Sequence, residues 1–204
     1  MTPRSIIKRI ITAIMLATLS WQAWAFDIKD LESQLQSTAV VRGDFIQEKF
    51  LRSLPQPLTS RGAFTLATGQ GLLWHAHTPI ELDMRITPQG IARLGPDGSW
   101  QAMPGHSGGN RESRLFLSVL AGDTQGLQSN FAIAVSGDAQ AWELTLTPQS
   151  AMLRQIFDRI HITGGKLVDR IELFETQGDR SVLNMVNAQP AAQLTSEEQR
   201  AFTR

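Results

Sequence analysis

The 204-residue chain contains no cysteine and no tyrosine. Without Cys there are no disulfides, thiolate metal sites, iron–sulfur clusters or Cys nucleophiles. Nor is there an N-terminal Cys to carry a lipid anchor. With no Tyr, and only three Trp after residue 25, the aromatic girdles of an outer-membrane barrel are out of reach. No apolar run reaches the roughly 20 residues that a spanning helix needs. Charge of one sign is also scarce, with 19 Lys and Arg against 19 Asp and Glu. Three of those bases, Arg4, Lys8 and Arg9, fall in the first 25 residues, which hold no acid. Taking them from 19 leaves 16 bases against 19 acids, a net charge of −3 over residues 26–204. A mildly acidic body does not meet phosphates, so no nucleic acid is expected as a partner. Gly164-Gly165-Lys166 lacks the upstream Gly and the following Ser or Thr of a phosphate loop, so no nucleotide site is expected. No cofactor is expected.

What is present begins with an address. A basic start, a ten-residue apolar run at 10–19 and the small-x-small triplet Ala23-Trp24-Ala25 form the three parts of a secretory signal peptide. Cleavage is expected after Ala25, leaving a mature chain from Phe26 that is exported to the periplasm. Residues 26–204 show no repeat, low-complexity tract or linker, and read as one domain.

A helix of about ten residues opens that domain. Asp27 can cap it, with Asp30 three residues on. Ile28, Leu31 and Leu35 mark its apolar stripe. Then the period changes to two over residues 41–50, 62–68, 72–78 and 80–87. Each run sets apolar residues against polar ones, and Gly- or Pro-containing turns separate them. A second helix is predicted over residues 111–121, with Leu115, Phe116, Val119 and Leu120 on one stripe and Gly122 as its stop. Alternation resumes at 131–135, 142–146, 156–163, 166–174 and 181–186. A tail helix starts at Thr195, with Glu198 completing a capping box. The fold class is mainly β (α+β): a curled antiparallel sheet of about ten strands, an incomplete barrel, with about three short helices as lid.

Ten strands about 17 Å long and about 4.8 Å apart present about 800 Å² on one face. Three ten-residue helices cover about half of that. Curling the sheet deals with the rest, and its interior is then either a lined cavity or a solid core. Both outcomes are open on pattern alone.

Three other motifs stand out. Gly105-His106-Ser107-Gly108-Gly109 fits the G-x-S-x-G elbow of serine hydrolases. It lacks the strand, helix and parallel sheet that the elbow requires, so a loop is expected, with a hydrolase using Ser107 as the alternative. His75 and His77 share a strand face but lack a clear third ligand, so no metal site is expected. Glu81, Asp83 and Arg85 share a face and read as a solvated charged surface.

The order of elements resembles the outer-membrane lipoprotein carrier family, LolA. Val41-x-Gly43-x-Phe45-x-Gln47 looks like the first strand after the opening helix. Gly62-x-Phe64, then Gly71-Leu72-Leu73-Trp74 ending at Pro79, look like the second and third strands. Asp97-Gly98-x-Trp100 resembles a family turn with shorter spacing, and Gly178-Asp179 leads into a matching final strand. The resemblance implies an incomplete barrel with helices closing an apolar cavity, and it favours the hollow interior. It implies a soluble monomer that takes acylated lipoproteins or related lipids from an inner-membrane transporter and passes them to an outer-membrane acceptor. It implies no enzyme activity. The lipid-binding residues would be Phe45, Phe64, Leu66, Leu72, Trp74, Leu82, Met84, Ile86, Trp142 and Leu144, with Leu115, Phe116, Val119 and Leu120 closing over them. One departure is clear. Where the family places an Arg before the Pro that ends the third strand, to tie the lid, this chain has Thr78. Closure must therefore be managed otherwise, or the cargo differs, a lipid-linked pigment being one alternative.

Overall fold

Asp27 starts helix α1 (Ile28–Gln36) by accepting from the amides of Lys29 (2.7 Å) and Asp30 (3.1 Å). The Asp30 carboxylate returns the favour to the Asp27 amide at 3.0 Å, closing a capping box with Asp in the usual Glu position. Leu31 and Leu35 are its buried face. The computed structural model describes residues 26–103 and 108–203. The signal peptide read at residues 1–25 and the candidate nucleophile Ser107 lie outside the described residues.

Eleven antiparallel strands follow in one sheet. They are β1 (Val40–Phe50), β2 (Leu58–Ala67), β3 (Gly71–Thr78), β4 (Leu82–Thr87), β5 (Gly90–Leu94) and β6 (Trp100–Ala102), then β7 (Phe131–Asp138), β8 (Ala141–Pro148), β9 (Phe157–Gly164), β10 (Val168–Glu175) and β11 (Arg180–Ala191). Their spatial order is β6-β5-β4-β3-β2-β1-β11-β10-β9-β8-β7. The first and last strands thus pair at the centre, and the chain builds one wing on each side. The sheet is curled and not closed. Sequence alternation found most of it. The short strands β5 and β6 escaped because three to five residues show no period. Strand β4 starts at Leu82 rather than Ile80, and β11 runs five residues past Val186.

Curvature has a local cause. The β1–β11 register slips between Arg42 and Asp44, a bulge that bends the strand and increases its twist. Backbone runs very close here and at a second slip, between Arg61 and Gly62 in the β2–β3 pairing. A Cβ on Gly43 would sit 2.9 Å from the Ala188 Cα, and one on Gly62 would lie 1.9 Å from the His75 carbonyl oxygen.

The concave face holds the core, with Phe45, Leu72, Ile86, Leu146, Ile160 and Leu173 each at most 1 % exposed. Helices α1, α2 (Gly108–Leu120) and α3 (Thr124–Gln128) accompany it, and α4 (Ala151–Arg154) bridges β8 and β9. Helix α3 went unread because five residues cannot show a helical stripe.

The convex face departs from expectation. The row Thr65, Leu73 and Arg85, aligned across β2, β3 and β4, is crossed by helix α5 (Ser196–Thr203). Glu198 accepts from Arg42 Nε (2.6 Å) and from Thr65 Oγ1 (3.0 Å). Arg85 donates to the Ala201 carbonyl at 2.7 Å and lies over the Trp100 ring. Leu73, beneath, is 1 % exposed. So Arg85 is not part of a solvated charged surface: the tail helix roofs it. Burial lowers the Arg85 pKa. Arg42, above all, and the Thr195 and Thr65 groups pull the Glu198 carboxyl from 4.5 down to about 2, against the opposing effect of burial. Among the described residues no helix is long and apolar enough to cross a membrane.

Candidate functional site

Three aromatic rings run from the sheet into the lid. Phe45 on β1 stacks on Trp74 of β3 with centroids 3.7 Å apart, and Trp74 faces Phe116 of α2 at 6.4 Å. Around Phe116, helical spacing puts Leu115, Val119 and Leu120 into the same core, all buried. The helix stops at Gly122, which takes φ +64 as a residue just past a helix end commonly does.

Polar ties close the site from one side. Gln34 of α1 donates to the Gly165 carbonyl at 2.6 Å, and the Trp142 indole donates to the same oxygen, also at 2.6 Å. Gln36 donates to the Gly122 carbonyl (3.0 Å), and Thr124 of α3 donates to Glu32 (2.5 Å). These bonds pin α1 to the β9–β10 turn and to the segment after α2. Thr78, which stands where the resemblance places an Arg, is exposed at the rim and takes part in none of them. Residues 114–120 of α2 make no side-chain hydrogen bond to the sheet among the described residues. That stretch of lid is held by apolar packing.

Under the lid the described residues leave little room. Beneath α1 and α2, among the described residues Leu35, Val41, Phe64, Leu66, Leu120 and Met185, a void of about 10 Å³ is left. That is at the threshold for one water and far short of a hydrocarbon tail. The expected cavity is occupied by the lid's own side chains, because a stripe of two Leu, a Phe and a Val facing an apolar wall buries itself when nothing else does. Open space lies beside the lid instead. A cleft of about 490 Å³ separates α2 (Arg114, Leu117, Ser118) from the rim of β2–β4 (Thr68, Gly71, Thr87).

Of the fourteen side chains expected to bind lipid, twelve are buried in this one core: Phe45, Phe64, Leu66, Leu72, Trp74, Ile86, Trp142, Leu144 and the four of α2. Met84 is half-buried and packs against it. Leu82 does not belong. It is 36 % exposed, because it starts β4 just after the exposed turn through Ile80 and Glu81, outside the reach of the lid. The expectation missed much of the second wing, where Leu146, Ile160, Ile162, Ile171 and Leu183 are fully buried on the same face. Their alternation was the available signal.

The polar candidates do not converge. His75 Nδ1 lies 2.8 Å from Asp83 Oδ1, while His77 and Glu81 are exposed. No three His, Asp or Glu side chains are grouped to hold a metal among the described residues.

The family model described as outer membrane lipoprotein carrier protein LolA matches residues 36–200. No curated protein matches the chain. Several solved structures match the chain at low identity. The chain is 11 % identical to MucB, with TM-score 0.52, covering 86 % of this chain and 62 % of that one. The Pseudomonas aeruginosa MucA/MucB complex matches at 12 % identity and TM-score 0.48, covering 82 % and 57 %. A LolA superfamily protein from Nitrosomonas europaea matches at 8 % identity and TM-score 0.45, covering 85 % and 95 %. The chain therefore spans about three fifths of the MucB chains it matches.

Proposed function

The chain belongs to the LolA family of outer membrane lipoprotein carrier proteins, and on that premise we propose that it is a periplasmic carrier whose closed interior opens to shield the acyl chains of its cargo. The observation that carries this reading is the seal itself: an apolar wall covered by a helix whose described side chains, at residues 114–120, make no hydrogen bond to it. Residues 1–25 would be removed on export, leaving residues 26–204 as a monomeric carrier domain. Its role is binding, not bond chemistry.

The energetics favour a lid that yields to lipid and to little else. Burying a Leu, Val or Phe side chain stabilises by about 1.5–3 kcal/mol. The four lid side chains together therefore hold the site shut by about 6–12 kcal/mol. An acyl chain gains about 0.8 kcal/mol per methylene removed from water. Roughly eight to fifteen methylenes offset the displaced lid, which is one acyl chain. A singly acylated cargo would then bind near break-even, and a cargo with two or three chains would bind with a surplus. This matches a carrier for lipoproteins better than one for free fatty acids. The lipid or lipid-linked pigment alternative needs the same chain count. The described residues hold no energy-coupling motif, so direction must come from a donor transporter in the inner membrane and from a tighter outer-membrane acceptor.

A fluorescent acyl probe tests the site. A charge on the sheet wall at Trp74 (Trp74→Glu) is expected to abolish binding while export continues. Unchanged binding in this variant would contradict it. Native mass spectrometry of the wild-type protein from the periplasm is an independent check: co-purified lipoprotein or lipid is expected, and a bare chain would count against the reading.

A further inference from the structure

An open sheet leaves two edges, and here they are unequal. One is β6, three residues long. The other is β7, whose pairing with β8 is regular from Phe131 to Asp138. Exposed edges are normally blunted by Lys, Pro, a bulge or shortness, because free backbone groups invite another strand. Residues 131–136 read Phe-Ala-Ile-Ala-Val-Ser: no charge, no Pro, no register slip.

Backbone geometry identifies which groups are free. The Gln149 amide donates to the Asn130 carbonyl at 2.9 Å, so residues 130 and 149 form a hydrogen-bonded pair. In an antiparallel ladder such pairs recur every second residue. Ala132, Ala134 and Ser136 then spend their amides and carbonyls on β8. Phe131, Ile133 and Val135 turn theirs outward. The same three side chains face the core: Phe131 is buried, and Ile133 and Val135 are half-buried and packed against it. On the other face Ala132, Ala134 and Ser136 are small and exposed.

We propose that the edge of β7 at Phe131, Ile133 and Val135 docks an extended stretch of the cargo's own polypeptide, next to its acylated end, as a twelfth strand. This rests on the carrier reading above. The incoming strand would need apolar side chains at alternate positions, to cover Ile133 and Val135, with small or polar residues between them. A second copy of the chain is the poorer occupant. Six residues span about 20 Å and would bury on the order of 200 Å² a side, well under the roughly 800 Å² per partner of a stable interface. Weak strand pairing becomes effective only when the segment is already tethered, and an acyl chain held in the adjacent interior supplies that tether at an effective concentration near millimolar.

Two peptides and one variant test this with the full-length mature protein. The first peptide is a hexapeptide of alternating valine and serine that carries two hexadecanoyl chains at its N-terminal end. The second is the same peptide N-methylated on its valines, which removes the donors that would face β7. The wild type is expected to bind the first at least tenfold more tightly than the second. Val135→Pro deletes an outward amide that the fold does not use, and edge strands tolerate Pro. It is expected to bind both peptides with the wild type's affinity for the methylated one. Amide exchange at Phe131, Ile133 and Val135 should slow when the unmethylated peptide is bound. Equal binding of the two peptides by the wild type would overturn the docking edge while leaving the carrier reading intact. A tenfold preference that survives in Val135→Pro would also overturn it. Because each carries two acyl chains, binding of neither peptide would sink the carrier reading and the edge with it. A wild-type dimer that Val135→Pro dissolves would make β7 a self-association edge instead, and so overturn the assignment.

Discussion

Helices α2 and α5 lie on opposite faces of the same wing of the sheet, and the chemistry that holds them is opposite too. Inside, α2 presses Leu115, Phe116, Val119 and Leu120 onto Trp74 and its neighbours through apolar packing. Outside, α5 is clamped by Glu198 to Arg42 and Thr65, and by Arg85 to the Ala201 carbonyl. Apolar contact is non-directional, so another apolar group of similar area can take its place. A bidentate carboxylate–guanidinium pair is directional and has no such substitute. The difference assigns the two helices different duties. Under the proposed carrier role the inner one would be exchangeable for lipid, and the outer one would be a fixed strap that keeps the wing rigid while the inside opens.

The strongest way to break this comparison is to weaken the inner seal. Phe116→Ala is expected to destabilise the empty protein by about 3–5 kcal/mol, as large-to-small core changes do. Because less lid must be displaced, the same variant is expected to bind an acyl probe at least as tightly as wild type. Urea unfolding and probe titration together check this. A loss of affinity parallel to the loss of stability would make Phe116 a fixed wall and not a plug. Cutting the outer strap should do the reverse. Glu198→Ala removes hydrogen bonds to a charged partner and is expected to cost about 1.5–3 kcal/mol of stability, with probe affinity unchanged. An altered affinity would show the two faces to be coupled.

A smaller effect sharpens the same contrast through pH. The Glu198 carboxyl titrates near 2 in the folded protein against an ordinary 4.5. A depressed acid stabilises the fold above its unfolded value and loses that contribution as pH falls towards its folded one. The strap's contribution should therefore be whole at neutral pH and fade between about pH 4.5 and 2. Unfolding curves of wild type and Glu198→Gln should converge across that window, and a constant gap between them would contradict the assignment.

The two regions were unequally legible in the sequence. The inner one was readable because its signals are periodic. Alternation from Phe64 to Ile86 and the stripe from Leu115 to Leu120 each repeat enough to fix a face, and both faces meet as expected. What periodicity could not supply was occupancy: the pattern that marks a wall is the same whether lipid or Phe116 fills the space. The outer region was harder. Glu198 was read as a local cap for its own helix, which it is, since it accepts from the Thr195 amide. Its bond to Arg42, 156 positions away, leaves no mark in a single sequence. One hint was present. Leu73 is an apolar residue on an otherwise polar face, and such a residue asks for a cover. Leu82 failed for the opposite reason: it continues the alternation correctly but starts its strand beyond the lid.

The central claim is that acyl cargo displaces α2 and leaves α5 in place. Hydrogen exchange of the mature protein, empty and saturated with a diacylated peptide, tests it directly. Amides of residues 115–120 are expected to lose protection on loading while those of residues 197–203 keep theirs. Saturation by the probe with the protection of α2 unchanged would contradict the account.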